Sequence, residues 1–150
     1  MNALMTAIAL WLSANFGLPA TYDLPRLEYV PAAQIAALRY KGLAGSPFQT
    51  VSAPVQPGQR EVVAVYDDAK KTIYLPQDWM ADTPAELSVL VHEMVHHLQN
   101  VGRQKFACAQ EREQLAYEAQ ERWLGLFGHN LKDDFEIDPF TLFVSTKCLH

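Results

Sequence analysis

A chain of 150 residues is long enough for one well-packed domain and too short for two. Apolar residues make up 49% of it and charged residues 19%, which excludes a wholly disordered polymer. The net charge of −5 and the scatter of the 12 basic residues exclude the basic stripe that nucleic acid or an anionic membrane surface requires.

In residues 1–20, Leu4, Met5, Ile8, Trp11, Leu12 and Phe16 recur at helical spacing, so the stretch reads as a structural first helix. The competing reading is a secretory leader. It is weakened by the lack of Lys or Arg before the apolar core and by a poor cleavage site at Leu18-Pro19-Ala20. No membrane span is expected, because Asn15, Gly17 and Pro19 interrupt the run before about twenty apolar residues accumulate. Gly17 to Pro31 carries three prolines and reads as an extended surface connection. Pro31 to Tyr40 reads as a short helix ending at Lys41-Gly42, and Leu43 to Gln59 as loop with a short strand near Phe48 to Val51. A hairpin is predicted from two β-branched and aromatic runs, Arg60 to Tyr66 and Thr72 to Pro76, flanking the polar Asp67-Asp68-Ala69-Lys70-Lys71.

Thr83 to Asn100 reads as a well-marked helix. Thr83 is a good N-cap, Pro84 suits the first helical position, and Glu86 completes a Thr-x-x-Glu capping box. At 100° per residue, Leu87, Leu90, Val91, Met94, Val95 and Leu98 share an apolar face, while Glu86, Glu93, His97 and Asn100 lie opposite. His92 and His96 fall on the border. Two imidazoles four residues apart point the same way and can close on one zinc ion, and Glu93 beside them can take a proton from water that the metal activates. This is the H-E-x-x-H arrangement. The remaining histidines, His97, His129 and His150, read as surface residues without a role.

A catalytic zinc needs a third protein ligand. The acidic helix predicted over Cys108 to Phe127 supplies Glu111, Glu113, Glu118 and Glu121 as candidates, with Asp133 beyond it. Projection puts Ala109, Ala116, Gln120, Trp123, Leu124 and Phe127 on one face with Glu113 in its middle. A lone carboxylate there requires a cation. That cation is the metal or, on the alternative reading, Arg103 or Arg39. Glu111, Glu118 and Glu121 read as a solvated face with Arg112 and Arg122. The tail after Gly128 reads as loop with a strand at Thr141 to Ser145. Cys108 and Cys148 are too few for a thiolate zinc site, which leaves a disulfide or two buried thiols. The bridge is the favoured reading, and it tilts the expected location slightly toward periplasmic or secreted and away from cytoplasmic.

His92-Glu93-x-x-His96 followed by a helix with Glu113-x-x-Ala116-Tyr117 resembles the zincin metallopeptidases of the gluzincin type, in their minimal single-domain form. The resemblance covers about Arg60 to Phe127. It implies an α+β, zincin-like domain spanning 1–150, with a small hairpin or sheet packed on the active helix and N-terminal helices around it. It implies an edge strand at Thr72 to Leu75 before the active helix, and one zinc ion held by His92, His96 and Glu113. Glu93 would be the general base and Tyr117 a donor to the oxyanion, although Tyr117 reads equally as a packing residue. The chain departs from the better-known members at Tyr117, where they carry an acidic residue supporting a ligand histidine; Gln120 or a backbone carbonyl is the substitute. The expected partner is a peptide or protein substrate, with no signal in the sequence for oligomeric state. Two other readings stand beside the peptidase: a zinc-stabilised binding or regulatory module without turnover, and hydrolysis of a non-peptide amide.

Overall fold

Three short strands carry the scaffold of the computed structural model, which describes residues 1–19, 23–42 and 64–148, the side chains of 39–42 excepted. They are β1 (Arg26–Val30), β2 (Val65–Asp67) and β3 (Thr72–Pro76), ordered β1-β3-β2. Every residue of β3 is buried, because its alternate side chains enter two cores. Ile73 and Leu75 pack into the main core with α1 (Asn2–Phe16) and α3 (Pro84–Val101). Tyr74 points the other way and meets Val30 and Ile35, the latter from α2 (Ala32–Gly42). The sheet is therefore covered on both faces, and the fold class is α+β as the sequence indicates.

β2 and β3 form the expected hairpin, with Val65 opposite Tyr74, and Asp67 Oδ1 accepts the Lys70 amide at 3.1 Å to close the turn. The predicted first strand began at Arg60; residues 60–63 and the predicted strand at Phe48 to Val51 lie outside the described residues. Two expectations fail here. The stretch from Gly17 to Pro31 is not merely a connection, since Arg26 to Val30 pairs in parallel with Thr72 to Pro76. Its prolines flank the strand and never interrupt the ladder, and Arg26 and Glu28, paired at 3.7 Å, keep charge on the exposed edge. As a result β3 is a central strand and not the edge strand that the resemblance implied.

α1 buries Met5, Ile8, Ala9 and Leu12 and ends at Gly17, whose positive φ of 68° closes the helix by donating to the Ser13 carbonyl. α3 begins at Thr83, whose side chain accepts the Glu86 amide at 3.1 Å, while Glu86 Oε2 accepts the Met80 amide at 2.7 Å. Residues Ser88 to Gln99 of this helix are all buried. The polar side, opposite the apolar face, is covered by α4 (Ala109–Gly125) and by the hairpin. Glu86 is buried where its carboxylate accepts the Met80 amide, and His97 is buried as well, contrary to its reading as a surface residue. His97 Nε2–H donates to the Asp23 carbonyl at 2.6 Å and its Nδ1 accepts from Tyr66 Oη–H at 2.8 Å. Burial pushes this imidazole below its ordinary value. His129 is exposed, as expected, and pairs with Asp134 at 2.8 Å. His150 lies outside the described residues.

The tail is helical, which corrects the predicted strand at Thr141 to Ser145. Asn130 caps α5 (Leu131–Phe135) by accepting the Asp133 amide, and Asp138 caps α6 (Pro139–Thr146) by accepting the Thr141 amide. The β-branched and aromatic run looked like a strand; a capping aspartate followed by Pro139 at the first helical position overrode that propensity. α6 packs on α4, and Cys148 just beyond it is bonded to Cys108 at the start of α4, with Cα atoms 5.8 Å apart. Among the described residues no helix is long and apolar enough to cross a membrane.

The bridge closes a sequence separation of 40 residues, which in the chain-entropy account stabilises the fold by roughly 4 kcal/mol. Thermal unfolding with and without reductant is expected to show a fall in Tm on the order of 10 °C, and a Cys148→Ser variant should start near the lower value and respond little to reductant. Unchanged melting under full reduction would show that α6 is held without the bond.

Candidate metal centre

The site is built where α3 and α4 face each other. α3 presents His92 and His96 one turn apart, with ring centroids 5.1 Å apart, and α4 presents Glu113 to both. Glu113 Oε2 lies 2.9 Å from His92 Nε2 and Oε1 lies 3.2 Å from His96 Nε2. The three residues offer ligand atoms that all lie within 4.8 Å of one another. The sequence argument that a glutamate centred on an apolar helix face must meet a cation therefore leads to the histidines. Among the described residues the ion pairs of Glu113 are to His92 and His96, and Arg103 is an exposed residue just past α3. The Arg39 side chain lies outside the described residues. Glu111 turns away to accept the Ala107 amide at 2.6 Å, and Glu118 and Glu121 are exposed. Asp133 lies in the capping turn of α5 with Asn130.

Each imidazole is fixed from behind by a glutamine. Ser88 Oγ–H donates to the Ala85 carbonyl at 2.7 Å and accepts from Gln120 Nε2 at 3.1 Å. Gln120 Oε1 thus faces His92 Nδ1 at 2.9 Å as an acceptor, so that Nδ1 carries the hydrogen. On the other side Gln99 Nε2 donates to the Arg112 carbonyl at 3.2 Å, and its Oε1 accepts from His96 Nδ1 at 3.0 Å. Both Nε2 lone pairs are then left facing the Glu113 carboxylate. Three acceptors converging in a mostly buried place repel one another unless a proton or a metal ion stands among them. The donor set of two neutral imidazoles and one carboxylate could hold a metal ion, and its chemistry suits zinc among others.

Without metal, protons take that role. Burial alone would push the His96 imidazolium down, yet the Glu113 carboxylate beside it outweighs burial and raises the group to about 9. For Glu113, burial pushes upward and the charges of His96 and His92 prevail, holding it well below the usual carboxylate range. Glu93 follows His92 on α3, is 7% exposed, and its charge also favours the His96 imidazolium. Tyr117 lays its ring edge-on against His92 with centroids 4.7 Å apart. Arg112, next to Glu113, makes a two-pronged pair with Asp68 of the hairpin turn at 2.8 and 2.9 Å. The start of α4 is therefore fixed to the sheet as well as to α3.

Gln120 was legible as a substitute support for a ligand histidine, whereas Gln99 and Ser88 were missed. The only available signal for Gln99 was its position three residues after His96, one turn along the helix.

The shifts carry a sign. The raised His96 contributes stability that is complete below its ordinary value of 6.5 and is lost as pH rises through about 9. The depressed Glu113 contributes stability that is complete above its ordinary value of 4.5 and is lost as pH falls. In chelator, the Tm advantage of the native chain over a Glu113→Gln variant is therefore expected to be greatest between pH 4.5 and 6.5 and to shrink toward pH 9. An advantage that grows between pH 6.5 and 9 would contradict the assigned pairing.

Comparison with curated proteins finds no match, and comparison with solved structures finds none either. The family is nevertheless plain: matched over residues 1–150, the chain belongs to the family described as Domain of unknown function (DUF6647).

Proposed function

We propose that the protein is a zinc-dependent hydrolase, a small metallopeptidase of the gluzincin kind acting on peptide or protein substrates. The observation that carries this reading is the convergence of His92, His96 and Glu113 on one point while Glu93 stands beside them on the same helix. His92, His96 and Glu113 would hold the metal, and a histidine-bearing helix followed by a glutamate-bearing helix beside a small sheet is in keeping with the resemblance.

Bound zinc would supply Lewis acidity that brings the pKa of a water molecule toward neutrality. The chain's own residues do the rest. Gln120 and Gln99 keep both imidazoles in the ligating tautomer. Glu93 accepts the proton of the attacking water and returns it to the leaving amine. Tyr117 is the candidate for a further donor to the developing oxyanion, since its ring rests on His92. The disulfide is in keeping with a periplasmic or secreted location, where an oxidising environment preserves it.

A second reading has zinc only clamping α3 to α4 in a binding or regulatory module. The burial of Glu93 and His96, 7% and 6% exposed, favours it to that extent. Glu93 separates the two, because a clamp needs no carboxylate at that position. A Glu93→Gln variant is expected to keep zinc and fold while losing hydrolysis by roughly 10²–10⁴-fold, measured on whichever peptides of a broad library the zinc-loaded native chain cleaves. If the fully loaded native chain cleaves none of them, the clamp is the better account.

A further inference from the structure

Between α4 and α6 lies a cleft of about 450 Å³, a size typical of sites that enclose a ligand. Gln114, Tyr117 and Glu118 line it from α4, and Pro139, Leu142 and Phe143 from α6. Tyr117 belongs to two places at once, since the ring that lines the cleft also packs against His92 at 4.7 Å. The cleft thus begins one side chain away from a metal-ligating imidazole.

Many polar groups around the cleft are already engaged with the protein. Gln114 Nε2 donates to Glu118 at 3.4 Å, and Glu121 Oε2 accepts the Leu131 amide at 3.1 Å. The Arg122 guanidinium sits over the Phe16 ring at 5.3 Å, and the Thr146 hydroxyl donates to the Leu142 carbonyl at 2.8 Å. What the cleft offers an occupant is mainly apolar and aromatic surface. At its mouth Phe143 is 57% exposed, and Phe140 on the same helix is 75% exposed. Aromatic side chains left in water beside a concavity mark a binding surface. The concave shape, and Tyr117 touching both the cleft and His92, favour a side chain that reaches in from the metal centre over a flat partner.

We propose that this cleft is the specificity pocket of the hydrolytic site and takes one bulky apolar side chain of the peptide whose scissile bond lies at the metal centre. The proposal rests on the peptidase reading above. The bond between Cys108 and Cys148 joins the beginning of one wall to the end of the other, so it holds the pocket at a fixed width.

The test uses the zinc-loaded Glu93→Gln chain, which binds without turnover. It is titrated with hexapeptide amides in which Phe, Leu, Ala or Asp occupies each position in turn on a Gly/Ala background. At one position, Phe and Leu are expected to bind about tenfold tighter than Ala. Leu142→Trp, which fills the cleft, and Phe143→Ala, which opens its rim, should each erase that preference with zinc content unchanged. Phe143 is largely exposed, so its variant reports even if Leu142→Trp does not fold. Loss of the preference in the variants supports the pocket; no preference at any position, or a preference both folded variants keep, overturns it. A dimer that Phe143→Ala dissociates would also overturn it and make the cleft an interface between copies. Hydrolysis by the native chain is read separately. Cleavage indifferent to Leu142 and Phe143 keeps the peptidase and removes the pocket, whereas apolar-selective binding without cleavage keeps the pocket and removes the peptidase.

Discussion

Three lone pairs aimed at one small, mostly buried place constrain this structure more than any other feature. His92 Nε2, His96 Nε2 and the Glu113 carboxylate face one another because two glutamines hold the Nδ1 hydrogens on the far side of each ring. Such an arrangement needs positive charge at its centre. The helices that create it must in turn be held at a fixed separation, and much of the remaining chain serves that end. Gln120 reaches from α4 to Ser88 on α3, and Gln99 reaches from α3 to the α4 backbone at Arg112, so the groups that orient the imidazoles also set the register of the two helices.

Around this pair the fold supplies rigidity in layers. The apolar side of α3 packs with Ile73 and Leu75 of the central strand and with α1, a core in which Leu90, Met94 and Leu98 are fully buried. The polar side is fixed at its far end by His97, Asn100 and Tyr66, whose hydrogen bonds tie the helix to the hairpin and to the Asp23 carbonyl. Arg112 and Asp68 then link the hairpin turn to α4. A carboxylate and two imidazoles placed on rigid helices are preorganised, which is the condition for tight metal binding and for proton transfer in a defined direction.

The parts of this arrangement governed by local rules were legible in the sequence. Thr83, Pro84 and Glu86 mark the start of α3 through capping chemistry, and Glu113 stands out because a carboxylate on an apolar face needs a reason to be there. What was missed depended on partners distant in the chain. The parallel pairing of Arg26 to Val30 leaves no mark on its own sequence and is disguised by three nearby prolines. His97 looked solvated because helical projection assumes one wet face, and α3, covered on all sides, has none through its central turns. The tail was misread because β-branched residues argue for a strand, while one capping aspartate and a proline are enough to start a helix.

Zinc stoichiometry is the most direct measure of whether the converging lone pairs form a metal centre. Metal-free protein titrated with zinc and then analysed for bound metal should hold about one ion per chain. Glu111→Gln, altered on the outer side of the same helix, should hold as much. Glu113→Gln should lose most of it, since the amide removes the charge that the two imidazoles face. Equal zinc in the two variants, or none in the native chain, would contradict the account.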